Sequence, residues 1–403
     1  MRRSSGSSSK PSRPALVARR RRTYTNPYEA GAEIDDRVIQ LRQIGTDHVF
    51  PLRSPNGDSR RDPAGSSTGV SLGAGPSCDL RIHDPTRRTS KLHAILRYND
   101  PSWNVLDVGA KHGLLVDGVR QDTACLSPGM VLGIGSVRLL AESMRSIELR
   151  AFLARVIGWT WIDDKETAVE QALQRLRTAQ LQRGPIHLQS DDDLVDVAKD
   201  LHRYLFGASA PFVMCDPRRS TTPETVRSPA NWKDPHEALR AAAGGTLCFR
   251  RLRLPVDFVE LVHRVRTSPE IAVQLMVCDS KGIDELFTSS LVIPPLQSRP
   301  PQQVAQVIQD YFREALAAFD VDKPPTAADR AWIAQHSAQS LSEVAKGTRR
   351  LVALRREDGL TDAANLLEMA PPSLQRWLKH RGNPPGLRAA LPPRRSGKRI
   401  AKT

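Results

Sequence analysis

The hydrophobic period of this chain changes twice, and the two changes bound its architecture. Between Gly69 and Ser143, apolar residues come in short runs broken by Gly, Pro, Asn and Asp: GVSLGAG, CDLRIHD, HAILRYN, WNVLDVG, HGLLVDG, MVLGIGS and VRLLAES. Many short strands at close spacing predict a β-sandwich. After Ser143 the apolar residues of SIELRAFLARVIGW and ETAVEQALQRLRTAQLQ recur at helical spacing. Strand-like pieces (PIHL, PFVMC, GGTLCF, AVQLMVC) then alternate with amphipathic helical ones (DLVDVAKDLHRYLF, DFVELVHRV). That alternation predicts a parallel sheet with helices on both faces. Beyond Pro300 every periodic stretch is helical. The expected fold class is multidomain: a β-sandwich, an α/β domain, then an all-α end.

Composition narrows the function classes. A length of 403 residues allows several domains, and 39% apolar with 26% charged residues suits globular modules. No apolar run approaches the ~20 residues that span a bilayer, so no membrane partner is expected. The start, MRRSSGSSSKPSRP, has no apolar core after it and does not read as a secretory signal. The five cysteines (Cys78, Cys125, Cys215, Cys248, Cys278) are scattered and lack metal-ligand or redox spacing. Reduced thiols in a cytoplasmic protein, without metal or cofactor, are expected. The net charge of +15 favours a polyanionic partner, nucleic acid first. It gathers at the ends: ARRRRTYTNP near the start, and nine Lys or Arg without Asp or Glu from Arg376 to Thr403. Residues 1–44 read as a disordered basic arm, and 387–403 as a basic tail. Thr23 and Thr25 in that arm are candidate phosphoacceptors.

The order of a Gly turn, CDLRIHDP, Ser-x-x-His, a Trp strand, D-x-G-x-x-x-G, DG, L-x-P-G and IG resembles a forkhead-associated (FHA) domain over residues 45–145. The resemblance implies phosphothreonine peptide binding at the loops between strands. In that family an Arg after the first loop Gly pairs with the phosphate. A Ser of Ser-Arg-x-His also binds it, and an Asn before a later Gly holds the peptide backbone. Ser90 and His93 match here, with Lys91 in place of Arg. Ala74 stands where the phosphate-binding Arg belongs, and His112, before Gly113, where the Asn belongs. The candidate phosphopeptide residues are Ser90, Lys91, Arg87, Arg88 and His112, with Gly73, His93 and Gly113 in structural roles. A dianionic phosphate favours guanidinium and hydroxyl or amide donors; Lys supplies a point charge without the bidentate fork. The alternative for this surface is protein contact without phosphate dependence.

Residues 146–298, with a helical lid at 299–356, resemble the AAA+ domain of bacterial sigma-54-dependent enhancer-binding regulators. PIHL…LVDVAKDLHRYL matches the strand and helix around the phosphate loop. Yet a P-loop needs Gly-x-x-x-x-Gly-Lys-Ser/Thr, whose amides cradle phosphates. This chain has Gln189, Ser190, Asp191, Asp192 and Asp193 there. Arg250 and Arg251 stand where acids for magnesium and water are needed. The GAFTGA loop that grips the sigma factor has no counterpart, and DELFTSSLV replaces the arginine-bearing segment before PPL. The expectation is an α/β P-loop fold lacking its P-loop, with no ATP hydrolysis. Pairing of Asp191–Asp193 with Arg250 and Arg251 across the vacated pocket is a further expectation.

Residues 357–386, DGLTDAANLLEMAPPSLQRWLKHRGNP and its flanks, resemble the Fis-type helix-turn-helix that ends the same family. Thr361 is placed to cap the first helix, and Pro371 and Pro372 open the second. Glu368 replaces the usual turn Gly, which predicts slight strain. The second helix would enter the major groove with Ser373, Gln375, Arg376, Lys379 and His380 as DNA-contacting residues. LSEVAKGTRRLVALRRE before it is an amphipathic helix available for a homo-oligomer seam. The leading expectation is a non-catalytic DNA-binding transcriptional regulator. The alternative is a phosphothreonine-dependent adaptor docking a phosphoprotein or a Ser/Thr kinase.

Overall fold

A computed structural model describes residues 36–387, apart from 47, 54–68, 159–160, 164–165, 191, 193, 226–227 and 280–289. Most of the expected basic arm, with Thr23 and Thr25, and the tail from 388 lie outside the described residues.

Among the described residues the sandwich has eleven strands: β1 (Gln40–Gln43), β2 (Val49–Pro51), β3 (Val70–Gly73), β4 (Leu80–Arg81), β5 (Ala94–Asn99), β6 (Ser102–Asp107), β7 (Leu114–Val116), β8 (Val119–Arg120), β9 (Thr123–Cys125), β10 (Val131–Ile134) and β11 (Val137–Glu142). One sheet runs β2-β1-β11-β10-β7-β8 and the other β4-β3-β5-β6-β9. Alternation decides the inward faces: Leu96, Val105, Leu132, Ile134 and Leu139 are fully buried between the sheets. The β7–β8 turn is Asp117-Gly118, both with positive φ, which matches the right-handed twist of a two-residue hairpin. The sandwich starts earlier than expected. Residues 40–43, assigned to the basic arm by sequence, form β1 and pair antiparallel with β11. QLRQ carries one apolar residue, Leu41, too weak a pattern to read as a strand, although Leu41 is fully buried.

The second unit opens with α1 (Met144–Ile157), a small hairpin of β12 (Trp161–Asp163) and β13 (Glu166–Thr167), and α2 (Ala168–Leu181). Then come β14 (Ile186–Gln189), α3 (Val195–Phe206), β15 (Phe212–Cys215), β16 (Ala230–Trp232), α4 (Pro235–Ala241), β17 (Thr246–Arg250), α5 (Phe258–Thr267), β18 (Gln274–Asp279) and β19 (Ser290–Val292). The sheet order is β16-β15-β17-β18-β14-β19, with every pairing parallel. All six residues of β18 are buried, as expected of a strand covered on both faces. Chain connections leave β14 and β18 in opposite directions. Their carboxyl ends therefore form the switch point where open α/β sheets place ligands.

Five helices follow: α6 (Pro301–Ala318), α7 (Ala327–His336), α8 (Leu341–Arg356), α9 (Leu360–Leu366) and α10 (Pro371–Arg381). One buried cluster joins Ile186 and Met276 of the sheet to Phe312, Leu351, Ala364, Leu374 and Trp377. The last two helices are thus roofed onto the bundle rather than folded around a core of their own, because helices this short are marginal alone. Leu341, Val344, Leu351, Val352 and Leu354 of α8 also lie in this cluster. The apolar face read as an oligomer seam is therefore packed inside the chain.

Two turn expectations meet different outcomes. Thr361 does not cap α9; the cap position is Gly359, without a side-chain bond, because the helix starts one residue before Thr361. Glu368 does sit in the left-handed region, at φ +51°. A side chain there costs roughly 1 kcal/mol against glycine. Glu368→Gly is expected to raise the melting temperature accordingly; a lower one would mean that contacts of the Glu368 side chain outweigh the backbone strain.

Candidate functional site

Three loops meet at one end of the sandwich: β3–β4, β4–β5 and β6–β7. Asp84 builds the middle one. Its carboxylate accepts hydrogen bonds from Thr86 N (2.9 Å) and Oγ1 (2.7 Å), Arg88 N (3.0 Å), and Thr89 N (2.8 Å) and Oγ1 (2.9 Å). Ser136 Oγ, from the β10–β11 turn, adds a bond of 2.5 Å. Burial alone would raise the Asp84 carboxyl. The bonds from Ser136, Thr86 and Thr89 outweigh it and hold the group far below the ordinary carboxylate range. Arg87, with φ +57°, and Arg88 are exposed on this loop.

His93 joins the loops. Its Nδ1 accepts from Ser90 N (3.2 Å), which puts the proton on Nε2, and Nε2 donates to Gly113 O (3.0 Å). The ring is fully buried and touches no surface that a ligand reaches. Ser90 Oγ accepts from Lys111 N (3.2 Å), so its own hydroxyl proton is free to donate outward. Lys91, Lys111 and His112 are exposed around it. Ala74 N donates to Ser90 O (2.9 Å) and Gly75 N to Lys91 O (2.8 Å). The first loop is therefore laced to the second, but contributes only a methyl group beside Ser90. A Cβ on Gly73 would come within 2.4 Å of Lys91 O, which explains the glycine by close approach. Gly113, at φ +70°, is required by its backbone conformation.

The family model for the FHA domain matches residues 70–135. The glycogen accumulation regulator GarA of Mycobacterium tuberculosis is 32% identical over 116 residues, 28% of this chain and 68% of that protein. The chain belongs to the FHA-domain family. An uncharacterized protein of Mycobacterium bovis matches to the same extent. Among solved structures, the FHA domain of a Chlamydia trachomatis protein is similar at 23% identity and TM-score 0.21, covering 26% of this chain and 95% of that one. Mycobacterium tuberculosis EmbR, solved with a low affinity phosphopeptide, is similar at 16% identity and TM-score 0.22, covering 27% of this chain and 24% of that one.

The structure brings the sequence-selected Ser90, His93, Gly73 and Gly113 together in these loops, and adds Asp84, Thr89, Ser136 and Lys111, which sequence reasoning did not single out. The HDP triplet was the only signal for Asp84. The partner Ser136 lies far along the chain, and only pairing of the sheets brings it near.

Outside the FHA domain, the switch-point crevice is occupied by the protein itself. Arg251 Nη1 donates to Asp279 Oδ2 (3.1 Å), and His187 Nε2 lies 3.5 Å from the same oxygen. Arg251 thus bonds Asp279 at the end of the adjacent strand, while its expected pairing with Asp191 and Asp193 falls on residues outside those described. The Asp192 carboxylate lies near enough to favour the Arg299 charge. The Arg299 guanidinium is buried and donates to the carbonyls of Arg155 (2.7 Å), Val156 and Pro294 (3.0 Å). It thereby satisfies carbonyls in the last turn of α1 that the helix itself leaves open. Burial lowers the Arg299 pKa, against the opposing influence of Tyr311 and Asp192.

On α10, Ser373, Arg376, Lys379 and His380 are exposed, while Gln375 is half-buried. Leu374, Trp377 and Leu378 hold the helix down, with the Trp377 ring edge-on to Trp332 at 5.6 Å. Arg381 instead faces inward, bonding His336 O (3.0 Å) and Glu343. Among the described residues no His, Cys, Asp and Glu group is arranged to hold a metal, and no helix is long and apolar enough to cross a membrane.

Proposed function

We propose that the chain is a non-catalytic, phosphothreonine-dependent signalling adaptor whose FHA domain docks a phosphoprotein or a Ser/Thr kinase. The observation that carries this reading is the Ser90 hydroxyl. It is held at the loop apex by Lys111 N with its proton free, and has Arg87, Arg88, Lys91 and His112 on exposed positions of the same loops. A phosphate dianion takes one hydroxyl bond and several cationic contacts there. Fluorescence anisotropy with phosphothreonine peptides tests it. Ser90→Ala is expected to weaken binding about tenfold or more, the worth of one charge-assisted hydrogen bond. Ala74→Arg should tighten it by restoring a guanidinium beside Ser90. Equal binding of the unphosphorylated peptide would overturn the proposal.

The α/β domain serves this adaptor as a nucleotide-incompetent, AAA+-like frame. The parallel sheet, the missing P-loop residues and the Arg251–Asp279 pair in the crevice support that assignment.

A second reading, DNA binding by α10, is favoured by the exposed row of Ser373, Arg376, Lys379 and His380 above an apolar face. Replacing Arg376 and Lys379 by alanine should weaken DNA binding and flatten its salt dependence by roughly 0.9 logarithmic units for each phosphate no longer neutralised. Unchanged affinity and slope would remove α10 as the recognition helix.

A further inference from the structure

Arg87, Arg88 and Lys91 on the β4–β5 loop and Lys111 on the β6–β7 loop are all exposed around Ser90. Among the described residues none of these four side chains has an acidic partner. Elsewhere the surface cations meet acids: Arg177 pairs with Asp117 (2.7 Å), Lys199 with Glu224 (3.1 Å) and Arg355 with Asp329 (2.6 Å). The carboxylates nearest these four are already engaged. Asp79 accepts from Ser71 N (2.8 Å) and Oγ (2.6 Å). Asp84 is buried under Thr86, Thr89 and Ser136. Asp107 accepts from Gly109 N (3.1 Å), Ala110 N (2.9 Å) and Leu114 N (3.2 Å). Four like charges therefore share one end of the sandwich without an internal counter-charge. Such a surface attracts a partner of opposite charge and rejects a neutral one. A phosphothreonine brings roughly 1.5 to 2 negative charges. One phosphate thus leaves about two of the four cations unmatched.

We infer, resting on the phosphate seat proposed at Ser90, that these loops select a phosphothreonine segment carrying further negative charge within a few residues of the phosphate. Lys91 follows Ser90 in the chain, and Lys111 N bonds its Oγ, so these two cations serve the phosphate. Arg87 and Arg88, earlier on the same loop, serve the additional acid. A carboxylate or a second phosphate suits them equally, because both accept the two-pronged guanidinium fork. An extended peptide advances about 3.3 Å per residue, so an acid two residues from the phosphothreonine lies roughly 7 Å along the rim.

Fluorescence anisotropy on the full chain tests this with three labelled peptides. The first has one phosphothreonine in an otherwise neutral sequence. The second adds an aspartate two residues to each side, and the third has a second phosphothreonine in place of the first aspartate. At low salt both acidic peptides are expected to bind about tenfold more tightly than the neutral one, as two exposed ion pairs allow. The gain should shrink to about twofold in ~0.3 M salt, where the charges are screened. The tighter of the two acidic peptides tells whether carboxylates or a second phosphate supply the charge. Replacing Arg87 and Arg88 together by glutamine should weaken the acidic peptides more than the neutral one and bring the ratio to about two or below. A neutral phosphopeptide that binds as tightly as the acidic ones, or a gain that survives in the double variant, would overturn the charge selection and leave Ser90 as the phosphate seat. No binding of any phosphopeptide, or equal binding of the unphosphorylated acidic peptide, would overturn the phosphate seat and the charge selection with it.

Discussion

Asp84→Ala is expected to destabilise the FHA domain by about 3–4 kcal/mol and to abolish phosphopeptide binding. The carboxylate accepts bonds from Thr86, Arg88, Thr89 and Ser136, and its removal leaves the buried Thr89 N–H without that acceptor. Orphaned buried donors cost about 1–3 kcal/mol each, and bonds to a charged acceptor lie at the upper end. The urea midpoint of the FHA transition reads the effect. A midpoint equal to the parent's would show that water replaces the carboxylate without loss. The same group sets a pH dependence. Its folded-state pKa is depressed, so its contribution is fully present above about pH 4, the unfolded value. The contribution is lost progressively as the pH falls below that. Asp84→Ala should therefore flatten the acid limb of the parent's stability curve.

Arg42→Ala is expected to cost about 3–5 kcal/mol, because it strips a buried cation from two buried carboxylates. Arg42 Nε bonds Glu142 (3.0 Å) on β11, and Nη1 bonds Glu170 (2.9 Å) on α2. Burial opposes the Arg42 charge, but the bonds to Glu170 and Glu142 more than restore it. Glu142 also lies 3.1 Å from Arg150 Nε of α1. This network clamps the sandwich to the helices after it. Differential scanning calorimetry of the variant should show the FHA domain melting apart from, and before, the rest. Adding Glu170→Gln should recover part of the loss by removing one stranded charge. A single transition at the parent temperature would show the clamp to be dispensable.

The legible parts of this protein are those written in local pattern. Strand alternation in HAILRYN and WNVLDVG, helical spacing in α3 and α5, and the apolar run VQLMVC each follow from the residues that must leave water. Ser90, His93 and the loop glycines were readable because the FHA order fixes their spacing. The start of the sandwich was not. One buried leucine in QLRQ is no pattern until β11 lies beside it. The turn at Glu368 was read correctly as strained because its cost is local, a β-carbon in the left-handed region.

What the sequence determined by itself was the succession of sandwich, parallel sheet and helices, and which loop carries the Ser90 hydroxyl. The tertiary structure alone decided which distant charges meet. It set Asp84 under Ser136, Arg42 between Glu142 and Glu170, Arg251 on Asp279, and α8 inside the chain's own core. The reason is physical: apolar periodicity is a property of a stretch of chain. Ion pairs and hydrogen bonds depend on which surfaces pack together, and nothing in the spacing of their residues records that.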